Sequence, residues 1–130
     1  MSRKSKGTNA ERDIVHMFWA TEGWSAVRIA GSGSMRYPSA DVLATNRVRR
    51  LAIECKSTKD DKKYFSKEEI KQLMDFSSAF GAEPWFALKF KGSSWLFFTP
   101  EELKEKENSF FVDVFLASER GVLFEELIKP

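Results

Sequence analysis

The most informative run in this chain is Arg50-Leu51-Ala52-Ile53-Glu54-Cys55-Lys56. Its apolar residues are typical of a buried β-strand, and a carboxylate and an ammonium group close its end. Because side chains alternate along a strand, Glu54 and Lys56 share one face. Ile53 and Cys55 then take the opposite face. The stretch therefore predicts a core strand with an acid and a lysine side by side at its end.

A second strand-like run lies just upstream, Asp41-Val42-Leu43-Ala44-Thr45, and the polar turn 46–49 joins it to the first. Pairing the two runs as a hairpin can bring Asp41 close to Glu54 and Lys56. Two acids and a lysine at a strand end form a site for a hard cation and suit hydrolysis of a phosphodiester. The alternative is a simple salt bridge between Glu54 and Lys56, worth at most about 1 kcal/mol at an exposed position.

The composition indicates one ordinary globular domain over residues 1–130, with residues 1–6 as a mobile basic arm. Apolar residues make up 42% of the chain and charged residues 31%, and this length suffices for a single core. No stretch approaches the about 18–20 apolar residues of a membrane span, and the N-terminus lacks an apolar signal core. The lone cysteine, Cys55, excludes an internal disulfide and is interpreted as a small buried hydrophobe. We therefore expect a cytoplasmic protein.

Positive charge is concentrated in the half that carries the strand-end acids. Residues 1–63 hold 13 Lys and Arg against 7 Asp and Glu, whereas residues 64–130 hold 8 against 12. Lysine and arginine contacts to phosphates supply most of the sequence-independent affinity for nucleic acid. The distribution favours a polyanionic partner, and an uneven solvated surface is the alternative.

The remaining patterns predict a mixed α/β fold. Ser66 and Glu69 form a capping box that opens a helix ending near Gly81, and residues 31–39 are a Gly- and Ser-rich loop. The predicted elements are a helix over 9–21, strands over 24–30, 41–46, 50–57, 85–90 and 95–99, a short helix from residue 100, a strand over 110–115 and a helix over 122–128. This order predicts a central mixed sheet flanked by helices.

Five segments together resemble the archaeal Holliday junction resolvases of the PD-(D/E)xK nuclease superfamily. They occur in the family's order, and the likeness covers roughly residues 3–99: 4–13, 26–32, 41–44, 53–58 and 75–77. Ala40 stands where the superfamily name expects proline, which shapes the backbone and is not a ligand. The resemblance implies a restriction-endonuclease-like fold and a Mg²⁺-dependent homodimer, with Mn²⁺ as a substitute, that cleaves four-way DNA junctions. The alternatives are a restriction- or repair-type nuclease and a non-catalytic DNA-binding module.

The resemblance also assigns roles to individual residues. It implies Asp41, Glu54, Glu11 and the backbone carbonyl of Cys55 as metal ligands, and Lys56 as a catalytic residue beside them. An acid at position 11 is expected in any case, because it complements the dipole of the first helix. Whether Lys56 acts as a base or stabilises charge stays open, as does the choice between one metal and two.

A catalytic serine and a set of DNA-binding cations follow from the same likeness. The family's loop serine falls on Ser32, which completes the predicted catalytic set, and Ser34 is the alternative. The residues expected to contact DNA are all basic: Lys4, Lys6, Arg12, Arg28 and Arg36. An arginine in a strand, such as Arg28, otherwise lays its stem over the sheet edge.

The chain carries more aromatic side chains than one small core is expected to need. Phe76 and Phe80 lie at helical spacing, for which core packing is the default, although the family uses aromatics at these places near its dimer surface. The C-terminal half contributes most of the others: Trp85, Trp95, Phe97, Phe98, Phe110, Phe111 and Phe115. We therefore expect a homodimer that buries apolar surface of the acidic half.

Overall fold

The structure of the chain is a computed structural model that describes residues 3–31 and 36–130, with side chains described from residue 9 onward. Its helices and strands follow in the order α1 (Arg3–Trp19), β1 (Ser25–Arg28), β2 (Val42–Thr45), β3 (Arg50–Thr58), β4 (Lys62–Ser66), α2 (Lys67–Phe80), β5 (Glu83–Phe90), β6 (Leu96–Phe98), a 3₁₀ turn (Pro100–Glu102), β7 (Lys104–Lys106), β8 (Ser109–Asp113), α3 (Val114–Arg120), β9 (Val122–Leu123) and α4 (Phe124–Leu127). Within those ranges, no helix has both the length and the apolar character needed to cross a membrane.

Six strands form the main sheet in the order β1-β2-β3-β5-β6-β9. β3 and β5 run parallel, and every other neighbouring pair is antiparallel. A parallel pair requires a long crossover, and the segment that contains β4 and α2 supplies it. The expected fold class, a mixed central sheet flanked by helices, is confirmed.

Alternation along β3 separates two clusters of core residues. Leu51 and Ile53 pack with Ile14 and Phe18 of α1 on one face of the sheet. Ala52 lies on the other face, in a cluster formed by α2, β4, β5 and β8. Both faces of β3 are therefore covered, which is why the strand is almost wholly apolar until Glu54.

The predicted hairpin of β2 and β3 is confirmed, and its turn fixes the register. The side-chain oxygen of Asn46 accepts hydrogen bonds from the backbone N–H groups of Val48 and Arg49 at 2.9 and 2.6 Å. Val42 then pairs with Ile53, and one further step along this register brings Asp41 opposite Glu54. The backbone N–H of Asp41 donates to the carbonyl of Ile53 at 3.0 Å.

The first helix begins earlier than the sequence predicted. α1 starts at Arg3 rather than near Asn9, so the backbone of residues 3–6, expected to precede the helix as an arm, is helical. Arginine and lysine are good helix formers, and a single Gly7 costs only about 1 kcal/mol within a helix. Helical propensity therefore outweighs the charge of this segment.

A second, three-stranded sheet of order β4-β8-β7 was not predicted. β4 is rich in lysine and looks like part of a charged loop until it pairs with β8, more than forty residues downstream. The strand predicted over 110–115 ends at Asp113, whose carboxylate accepts the backbone N–H of Leu116 at 2.8 Å and caps α3. The terminal segment predicted as one helix is divided into β9 and α4.

Candidate active site

Asp41, Glu54 and Lys56 come together on β3 just beyond the last residue pair that it forms with β2, as the hairpin predicts. One carboxylate oxygen of Asp41, Oδ2, accepts a hydrogen bond from the backbone N–H of Cys55 at 2.8 Å. Asp41 is therefore held against β3 twice, by its side chain through Cys55 and by its backbone N–H through Ile53. The thiol of Cys55 points away and packs against the cluster on the α1 side, and burial, then the nearby acids, raises its pKa.

Asp41 and Glu54 form a tight pair of acids. Burial first, then the charge of Asp41 and a hydrogen bond between the two side chains, raises the pKa of Glu54 to about 9. A carboxylate beside a second one is disfavoured in its charged form unless a positive charge lies between them. A divalent cation is the counterion that such a pair accepts.

Glu11 of α1 lies near Asp41 and pairs with Arg28. Its Oε1 lies 3.5 Å from Nε of Arg28, and that Nε is buried without a hydrogen-bond partner in the described part of the chain. Burial first, then the charge of Asp41, raises the pKa of Glu11, and Arg28 opposes this. Glu11, the acid predicted on the first helix, thus lies near Asp41. Its ion pair with Arg28 is a long one.

The two carboxylates suit a hard divalent cation that keeps part of its water shell. Across residues 3–31 and 36–130, no three His, Cys, Asp or Glu side chains are grouped so that they could hold an ion. Mg²⁺ takes one or two carboxylates and keeps several waters. Asp41 and Glu54 meet that requirement, and the carbonyl of Cys55 is a further oxygen beside them.

Lys56 has a partner that the sequence analysis missed. Its Nζ lies 2.8 Å from Oε2 of Glu69 in α2. Burial lowers the pKa of Lys56, but the hydrogen bond and charge of Glu69, with the charges of Glu54 and Asp41, outweigh burial and raise it. Lys56 is therefore held as an ammonium group. The sequence assigned Glu69 only to a capping box, which is present.

Of the predicted DNA-binding residues, Arg28 is connected to the site by its ion pair with Glu11. Arg12 is exposed on α1 and Arg28 is half-buried, and the guanidinium of Arg36 lies 5.8 Å from the ring centroid of Tyr37. The side chains of Lys4 and Lys6, and the whole of Ser32 and Ser34, lie outside the described residues. DNA binding by the two lysines and catalysis by a loop serine therefore stay predictions.

The mixed sheet and the strand-end cluster define a class, the PD-(D/E)xK nucleases. The sequence model of one family in that class, described as archaeal Holliday junction resolvase (Hjc), matches residues 2–130. The chain belongs to this family.

Individual relatives agree with the family match. The crossover junction endodeoxyribonuclease Hjc of Archaeoglobus fulgidus is 42% identical over 85% of this chain and 80% of its own length. The endodeoxyribonuclease Hje of Saccharolobus solfataricus is 34% identical over 95% and 87%. The solved structure of the Archaeoglobus fulgidus resolvase superposes with a TM-score of 0.84 at 36% identity, covering 94% of each chain. These relatives are endodeoxyribonucleases, as expected for the class.

Proposed function

We propose that this chain is a Mg²⁺-dependent endonuclease that cleaves four-way DNA junctions symmetrically as a homodimer. The observation that carries the proposal is the pairing of Asp41 with Glu54 beside Lys56, at the end of a core strand in a chain of the resolvase family. Its relatives are named for cleavage of crossover junctions.

Each residue of the cluster has a distinct task in this proposal. Asp41, Glu54 and the carbonyl of Cys55 would hold the ion, and Glu11 would reach its waters. When bound, Mg²⁺ supplies a water of lowered pKa and neutralises charge on the phosphate. Lys56 places its ammonium group beside the phosphate as negative charge develops.

The basic residues bind the DNA backbone on either side of the scissile phosphate. Arg28 of β1 pairs in the sheet with Val42, next to Asp41, and Arg12 of α1 adjoins Glu11, whose pKa the charge of Asp41 raises. Contacts to phosphates position a duplex without reading its sequence. Selectivity for a junction then follows from the arrangement of phosphates that a branched molecule presents. A nuclease for linear duplex and a non-catalytic binding module are less well supported, because the relatives carry neither name.

An apolar groove supports the homodimer. It has a volume of about 270 Å³ and is lined by Trp19, Val27, Leu43, Phe80 and Ala82, among others. The side chains of Trp19, Val27 and Phe80 are each more than half exposed. A two-fold axis on this surface would bury the same groove on both copies and hold two metal sites at a fixed separation, as symmetric cleavage requires.

A gel assay tests the proposal with a labelled four-way junction and a linear duplex of the same length. We expect the wild type to cut the junction in Mg²⁺, to leave the duplex intact and to be inactive in EDTA. Asp41→Ala and Glu54→Ala should lose cleavage by at least about a hundredfold and keep junction binding, because removal of an acid reduces repulsion of phosphate. Cleavage by either variant at the wild-type rate would refute the assignment of the site.

A further inference from the structure

Glu69 uses its two carboxylate oxygens on different partners. Oε1 accepts hydrogen bonds from the backbone N–H and the hydroxyl of Ser66, at 3.2 and 3.3 Å. Oε2 lies 2.8 Å from Nζ of Lys56. One side chain thereby connects the start of α2 with the lysine at the end of β3.

Helix capping accounts for only half of these contacts. In a capping box the third helical residue turns back to the N-cap backbone, and glutamine does this as well as glutamate. Ser66 also accepts the backbone N–H of Glu69 at 3.0 Å, which completes the box. The second oxygen and the negative charge of Glu69 are not needed for the cap, and both are directed at Lys56.

Acids on two different elements attract the ammonium group of Lys56. Glu54 lies two residues away on the same face of β3, and its charge attracts the ammonium group of Lys56, as do the charges of Asp41 and Glu69. Lysine is a point charge on a flexible stem of four carbons, so nothing in its own side chain selects a direction. Glu69 is held by the backbone N–H of Ser66, which donates to its Oε1, and its Oε2 pairs with the ammonium group of Lys56.

We propose that Glu69 is a positioning residue that orients Lys56 for phosphodiester cleavage and keeps its ammonium group off the carboxylates that would bind the metal. The proposal rests on the proposed role of Lys56. α2 acts as the rigid support, since it begins directly from β4 at Ser66 and packs on the same face of the sheet as the site.

Two substitutions separate positioning from capping. Glu69→Gln keeps a side chain that can complete the capping box but removes the charge that holds Lys56. Ser66→Ala is the matched control, because it removes the N-cap side chain and leaves the contact between Glu69 and Lys56 intact. Lys56→Gln is included to test the role of the lysine itself.

The measurements are single-turnover cleavage of a four-way junction at saturating enzyme, the junction Kd without metal, and the Tm. We expect Glu69→Gln to cleave roughly ten- to a hundredfold more slowly, as is typical when a reacting group loses its support. Its junction Kd and Tm should stay close to those of the wild type. Ser66→Ala should show the reverse, a lower Tm with an unchanged cleavage rate.

Three results would overturn the positioning role and leave the proposed role of Lys56 standing. They are a wild-type or faster rate for Glu69→Gln, an equal loss of rate in Glu69→Gln and Ser66→Ala, and a loss in Glu69→Gln explained entirely by a lower Tm or weaker junction binding. A wild-type rate for Lys56→Gln would overturn the positioning role and the proposed role of Lys56 together. An inactive Lys56→Gln beside a fully active Glu69→Gln would remove the positioning role alone.

Discussion

At the scale of single residues, burial and the charge of Asp41 work against ionisation of Glu54. Burial of two like-charged groups is unfavourable unless a proton or a cation lies between them. The folded chain therefore stores an electrostatic cost at the end of β3.

Because Glu54 ionises less readily in the folded chain, the stability of the chain should depend on pH. The pKa of Glu54 is about 9 in the folded chain, against about 4.3 for an unfolded glutamate. Between these values the folded state keeps a proton that the unfolded state releases, so stability falls as the pH rises from about 4.3 to about 9. Glu54→Gln should remove this loss and be more stable than the wild type in EDTA at pH 8. Thermal unfolding at pH 6 and pH 8 measures the change in stability for both proteins. If Glu54→Gln lost as much stability as the wild type between these pH values, the prediction would be wrong.

At the scale of elements, Arg49 connects three segments far apart in sequence. Its guanidinium binds both carboxylate oxygens of Glu83, at 2.8 and 2.9 Å, and donates to the carbonyls of Leu127 and Lys129 at 2.6 and 3.1 Å. The starts of β3 and β5 and the end of α4 are thereby held together, at the sheet edge opposite the acidic pair. A planar, bidentate donor is suited to this role and lysine is not.

Loss of this connection should destabilise the chain in a pH-dependent way. Arg49→Gln is expected to cost about 1–3 kcal/mol at pH 7 because charged hydrogen bonds are lost. The hydrogen bond from Arg49 lowers the pKa of Glu83, so its contribution is present above about pH 4.3 and is lost as the pH falls through the lower folded value. Urea unfolding at pH 7 and pH 3 should show a difference that shrinks in acid.

A charge-matched control for this experiment is Lys129→Gln. Lys129 is exposed and pairs with Glu126 three residues away, so its loss should cost less than about 0.5 kcal/mol. An equal effect of the two substitutions would mean that net charge, and not the network of Arg49, decides stability.

At the scale of the whole molecule, the aromatic residues are distributed differently from the sequence-based expectation. Trp95, Phe97 and Phe98 of the acidic half are buried in the two core clusters. The apolar groove is lined mainly by residues of the basic half. The expectation that the acidic half supplies the exposed aromatic surface was therefore wrong for these residues, because a six-stranded sheet covered on both faces uses more aromatic side chains than expected.

The proposed homodimer can be tested at the groove. Phe80 is 56% exposed and stacks on the buried ring of Phe76 at 4.5 Å, so Phe80→Glu should leave the fold intact and give a monomer. Phe115 is 78% exposed on α3, and Phe115→Glu should remain a dimer. Light scattering should give twice the chain mass of 14.9 kDa for the wild type. A dimer that survives Phe80→Glu and is split by Phe115→Glu would place the interface on α3.

The sequence by itself determined those features that depend on neighbours along the chain. Alternation in β3 placed Glu54 beside Lys56, and a four-residue turn brought Asp41 to them. The capping box opened α2 at Ser66. These predictions were correct because strand period, turn chemistry and caps act over only a few residues.

Only the tertiary structure decided the contacts between distant segments. β4 became a strand by pairing with β8, and Glu69 reached Lys56 because the crossover places α2 against the end of β3. The hydrogen bond from Arg49 to the carbonyl of Leu127 spans 78 residues. Such contacts depend on how whole elements pack, and burial and charge complementarity, which no local pattern encodes, select among the possible packings.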